Sequence, residues 1–147
     1  MPPLVRRYIK TSFVCLAAGL TLGAYIVVSE FLLDLHPPRL LVTAHAHLLL
    51  VRFMLMVVMG VATWMFPRPA RDNTRYRPEL AEAVHWVLTV STAVQALAEI
   101  ALTLRGALGL RWLIVVGGLG QLAGAMLFVL NMWWRVRMPP TGAPSAS

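Results

Sequence analysis

The sequence predicts an all-α, four-helix transmembrane bundle running up-down-up-down, with both termini cytoplasmic. Three observations carry this. The chain of 147 residues is 59% hydrophobic with a mean hydropathy of +0.71, well above a soluble domain of its size. Four apolar runs each reach the roughly 20 residues that a hydrocarbon core requires at about 1.5 Å rise per residue. The connections between runs are short, which makes sequential helices neighbours in one bundle and leaves no room for a soluble domain.

The first run, Thr11 to Leu35, follows a ten-residue segment, 1–10, expected to be cytoplasmic. It is too long for a signal-peptide core, and SEFLLDLHPP behind it has no small-residue cleavage site, so it is read as retained. The second run spans Leu40 to Phe66, the third Leu80 to Leu104 and the fourth Trp112 to Trp134, giving a membrane domain over 11–135 and a disordered tail over 136–147. HPPR, FPRPARDNTRYRP and RGALGLR punctuate the runs, and MPPTGAPSAS follows the last. Trp64, Trp112, Trp133 and Trp134 stand at run ends, where amphipathic rings favour the interface.

Basic residues set the orientation, because Lys and Arg in short loops resist translocation. Arg6, Arg7, Lys10, Arg68, Arg71, Arg75, Arg77, Arg135 and Arg137 fall on one side, and Arg39, Arg105 and Arg111 on the other. The first side is therefore cytoplasmic, and the chain is expected in the inner (cytoplasmic) membrane as a multi-pass protein. The net charge of +7 reflects this asymmetry and attraction to anionic lipid, with no call for a nucleic-acid partner. The single cysteine, Cys15, lies inside the first run and forms no intrachain disulfide.

Polar residues inside the spans are the candidates for function, since such groups face the bundle interior, pair with one another, or serve a site. His45 and His47 lie roughly 8 to 12 Å below the outer end of the second helix. Gln95 and Glu99 on the third helix, Gln121 on the fourth, and Tyr25 and Glu30 on the first fall at similar depth, so a polar layer is expected in the outer third. Plain interhelical hydrogen bonding is the competing reading for Gln95, Glu99, Gln121 and Glu30. His85 lies near the cytoplasmic start of the third helix and His36 in an outer loop.

At about 100° per residue, His45 and His47 diverge by about 200°, so each meets its own partner and the two cannot hold one metal from a regular helix. A neutral imidazole in a dry helical site suits heme iron, with b-type heme the first choice. Gly19, Gly23, Gly117, Gly118, Gly120 and Gly124 offer surfaces for a flat ring, or equally for close helix packing. Copper is the lesser candidate, on the soft sulfurs of Met54, Met56 and Met59, whose spacing scatters them around the helix. Arg52, the one base belonging to neither side, is expected on the face of His45, seven residues or about 700° away. Its counter-charge is a heme propionate, Glu99 of a neighbour, or a water-filled cavity.

The stretch from His45 to Arg68, HAHLLLVRFMLMVVMGVATWMFPR, resembles a helix of the catalytic subunit of heme-copper oxygen reductases and the related nitric oxide reductases, the cytochrome c oxidase subunit I-like proteins. The likeness rests on the HxH pair, the aliphatic and aromatic stretch, Gly60, and the Pro67-Arg68 exit. In that family one histidine of the pair binds the low-spin heme and the other the high-spin heme on the opposite face. The family's subunit has twelve helices in three arcs of four, and the second helix of each arc carries histidines. This chain is one arc long with its pair on the second helix. The resemblance implies a small heme-binding cytochrome, active in electron transport or in heme or gas sensing, working as a homo-oligomer with heme at or near the subunit interface.

No second histidine pair for a copper site is present, since His36 and His85 are alone and at other depths, and no linked His and Tyr pair is available. Reduction of oxygen or nitric oxide is therefore not expected of the chain by itself. His85 would sit about 15 to 20 Å in height from His47, too far to share one iron, so a six-coordinate heme would draw its histidines from two copies. The competing reading is a cofactor-free accessory or assembly subunit of a respiratory oxidase or nitric oxide reductase.

Overall fold

The computed structural model describes residues 1–66, 78–106 and 108–136. The basic loop with Arg68, Arg71, Arg75 and Arg77, the tail from Arg137 onward and the side chain of Trp134 lie outside the described residues. Among those described there are four long helices and no strand: α1 (Pro3–Phe31), α2 (Arg39–Met65), α3 (Pro78–Arg105) and α4 (Arg111–Val136). All four are long and apolar enough to cross a membrane. The chain thus has the build of a multi-pass membrane protein.

Local chemistry accounts for the helix ends. Pro3 opens α1 with Pro2 as its cap, a position where a missing N–H costs nothing. The helix therefore begins within the segment 1–10 expected to precede it, because Val5 and Tyr8 are buried against neighbouring helices and extend the first turns. It stops at Phe31, short of Leu35, where Asp34 adopts a left-handed φ of 52° ahead of Pro37 and Pro38. Phe66, the last described residue after α2, is extended because the next residue in sequence is Pro67. Gly106 ends α3 at a φ of +60°, its N–H bonded to the Leu102 carbonyl at 3.0 Å.

One stretch departs from α-helical winding. Within α2, Arg39–Ala46 is α-helical, His47–Leu55 is π-helical, and Met56–Met65 is α-helical again. Hydrogen bonding from i to i+5 places more residues in each turn, so the angular advance per residue is smaller across His47–Leu55. That shift alters where every later residue points.

Extensive packing occurs between sequential helices, α1 on α2, α2 on α3 and α3 on α4, which makes the four an open row. Buried residues make up 39% of the apolar window of α3 and 11% of that of α1, so α3 lies inside the row and α1 at its edge. Outward faces carry bare apolar side chains such as Phe13, Leu20, Leu119 and Leu122. Tyr8, Met56, Met59, Val84 and Leu88 form the buried core, with Leu127 and Phe128 against it. At the same end of the row Arg7 pairs with Glu82 at 2.8 Å, and the Tyr8 hydroxyl donates to the Ala81 carbonyl at 2.8 Å.

Candidate functional site

The two histidines of α2 face different helices, as their spacing requires. The His45 ring lies against α1, where Nδ1 is 2.8 Å from the Gly19 carbonyl oxygen. A carbonyl only accepts, so Nδ1 carries the proton and Nε2 keeps the lone pair. The ring sits so close to Gly23 that a Cβ added there would fall 2.6 Å from Cε1. His45 lines an apolar groove of about 490 Å³ walled by Leu20, Gly23, Ala24, Val27 and Val42.

His47 faces α3. Its Nδ1 is 3.0 Å from the Thr43 carbonyl oxygen, which again assigns the proton to Nδ1. The Gln95 amide nitrogen lies 3.2 Å from Nε2 and 3.3 Å from Nδ1, and donates to the unprotonated Nε2. The same nitrogen donates its second hydrogen to Glu99 Oε1 at 3.0 Å, and Gln121 donates to Gln95 Oε1 at 2.9 Å. Glu99 Oε1 stands 3.8 Å from His47 Nδ1. His47, Gln95, Glu99 and Gln121 thus form one connected chain across α2, α3 and α4. Glu99 is fully buried, and its Oε2 is left without a partner.

Tyr25 and Glu30 do not join this layer. Tyr25 is 55% exposed and Glu30 is exposed as well, on the outside of α1. Helix α1 ends the row and meets only α2 over an extended face, so most of its circumference has nothing to pack against. Depth alone did not reveal this.

Arg52 does not share a cavity with His45. It lies with Leu48 on a separate cavity of about 440 Å³ between α1, α2 and α3. Both residues nonetheless turn toward α1, His45 against Gly19 and Gly23 and Arg52 beside Cys15, one turn further along that helix. Its guanidinium is 3% exposed and Nη1 is buried without a partner.

The remaining candidates have structural surroundings. His85 is buried beside Tyr8, with ring centroids 4.8 Å apart, and its Nε2 is 3.3 Å from the Thr11 hydroxyl. Met56 and Met59 belong to the core, whereas Met54 is exposed. Gly117, Gly120 and Gly124 serve close packing of α4 on α3: a Cβ at Gly117 would meet Gln95 Cβ at 2.6 Å and the Ser91 carbonyl oxygen at 2.8 Å. Gly19 is likewise covered by Leu48 and Leu49.

Arg135, counted among the bases of the side expected to be cytoplasmic, is 1% exposed. Its Nη2 donates to the carbonyl of Thr63 at 3.1 Å and to that of Phe66, closing the end of α2. A base in the last turn of a helix is an available signal for this role, although its target helix is not legible from sequence.

The donor sets suit heme iron in one respect that matters. Both imidazoles have Nδ1 anchored on a backbone carbonyl, which leaves Nε2 as the nitrogen that a metal could take. They differ in readiness: His45 Nε2 has no hydrogen-bond donor assigned to it, while His47 Nε2 accepts from Gln95. Comparison with known proteins found no matching family, no matching curated protein and no matching solved structure.

Proposed function

We propose that the chain is a b-type heme protein of the inner membrane, with helices alternating up and down and both termini on the cytoplasmic side. The distribution of basic residues supports that orientation. The observation that carries the heme assignment is the His45 imidazole, whose proton is tied to the Gly19 carbonyl at 2.8 Å while its lone-pair nitrogen belongs to a residue lining an apolar groove. Heme held there would supply one-electron redox chemistry or a site for a small gas.

The protein's own contribution is orientation and exclusion of water. The Gly19 carbonyl fixes the tautomer of His45, and Gly23 gives the ring room. His47 faces α3 and is held by Gln95, so it would serve as a second ligand only if Gln95 turned away. The open row leaves apolar faces on α1 and α4, which supports a homo-oligomer in which a second copy completes the coordination.

A second reading, a cofactor-free accessory subunit, is favoured by the connected chain of His47, Gln95, Glu99 and Gln121, which suits interhelical bonding. An absorption and pyridine hemochrome spectrum of the purified chain separates the two. Heme binding gives a Soret band that bleaches in His45→Ala and weakens in His47→Ala. A colourless protein copurifying with other membrane subunits sinks the heme reading.

A further inference from the structure

The cavity beneath Arg52 has no role in the heme reading. It is enclosed by α1, α2 and α3, and none of the side chains lining it is a histidine. Ala18, Ala93 and Ala96 give it small walls, and Val14 and Leu97 stand at its rim. Val14 and Leu97 are 69% and 66% exposed, so the cavity opens sideways between α1 and α3, toward the space lipid would occupy. Its volume of about 440 Å³ is within the range of small-molecule sites.

Thr11, Thr89, Thr92, Cys15 and Arg52 interrupt this apolar lining, and two of them carry buried atoms without partners. Arg52 Nη1 and Thr92 Oγ1 are buried without a hydrogen-bond partner, and the two residues are 3% and 1% exposed. The Cys15 thiol is within reach of the Arg52 side chain and the Tyr8 phenol stands near it, neither of them a carboxylate. Glu99 Oε1 is taken up by Gln95. A guanidinium in such a place calls for an anion, because its charge is otherwise uncompensated in a dry setting.

We propose that this cavity binds a lipid-soluble molecule with a carboxylate head, the head paired with Arg52 and Thr92 and the chain leaving between Val14 and Leu97. A carboxylate takes two parallel N–H bonds from a guanidinium and accepts a hydroxyl proton as well, so it satisfies both orphaned groups. Depth excludes a phospholipid headgroup. Arg52 stands midway along Arg39–Met65, about 20 Å from either end at about 1.5 Å per residue.

The test uses the full chain in phosphatidylcholine nanodiscs with palmitate labelled with carbon-13 at the carboxyl. The expected result is a saturable carboxyl resonance distinct from that of bilayer-partitioned palmitate, displaced about tenfold less well by methyl palmitate than by unlabelled palmitate. Arg52→Gln abolishes this preference, and Ala93→Phe, which fills the cavity, removes the bound resonance while far-UV circular dichroism stays helical. Equal competition by the ester, an unchanged signal in Arg52→Gln or Ala93→Phe, or no distinct resonance overturns the proposal. The same titration on the His45→Ala, His47→Ala double variant separates this site from heme. A bound resonance retained there supports an independent site; one lost there shows that palmitate binding depends on the histidine site and overturns it.

Discussion

Replacing Arg52 by leucine is expected to stabilise the ligand-free chain. The guanidinium is 3% exposed, midway along α2, with Nη1 buried and unpartnered. Insertion of arginine at a helix centre costs about 2.5–3.5 kcal/mol, whereas leucine there contributes about 0.3–0.6 kcal/mol favourably. Leucine is shorter and enlarges a cavity of about 440 Å³, which subtracts roughly 1–2 kcal/mol through lost packing. The net expectation is a gain of about 1–3 kcal/mol. Equilibrium unfolding in mixed dodecylmaltoside and dodecyl sulfate micelles, followed by far-UV circular dichroism on delipidated protein, measures it. Adding palmitate should then stabilise the wild-type chain and leave Arg52→Leu unchanged. A variant less stable than wild type by more than about 1 kcal/mol in the ligand-free state would refute the reasoning, because it would show that Arg52 has an internal partner worth more than its burial costs.

Gln95→Leu removes the donor to both His47 and Glu99 and the acceptor for Gln121, and should cost about 2 kcal/mol in the same unfolding assay; a cost below about 0.5 kcal/mol would mean the chain is not coupled. Gly117→Ala should separate α3 from α4, since its Cβ would meet backbone and Cβ atoms at 2.6 to 3.1 Å, and disulfide trapping between cysteines placed on the two helices should fall in yield. Gly23→Val should displace the His45 ring and weaken any Soret band as severely as His45→Ala, with His47 untouched; an unaltered spectrum would dissociate Gly23 from the ligand. Arg135→Met uncaps the end of α2 and should speed amide hydrogen exchange around Phe66, leaving the histidine end of the bundle as protected as before.

What the sequence makes legible here follows one coordinate, height along a helix. Rise per residue is nearly constant, so counting from the run ends places His47, Gln95, Glu99 and Gln121 at one level, and the hydrogen bonds between them follow. The 200° divergence of His45 and His47 is legible for a related reason, since the pair is too close in sequence for winding errors to accumulate. Azimuth over longer spans is not legible. Tyr25 and Glu30 have the right height and the wrong face, because the facing of α1 depends on which helix stands beside it, and an open row leaves it only one extensive neighbour. Arg52 is legible in part: it turns to α1 as His45 does, beside Cys15, but the cavity that opens next to it between α1 and α3 is not. The room beside that guanidinium is set by Ala18 on α1 and Ala93 and Ala96 on α3, small residues whose meeting depends on how three helices pack, and a ligand that pairs with Arg52 would fill it.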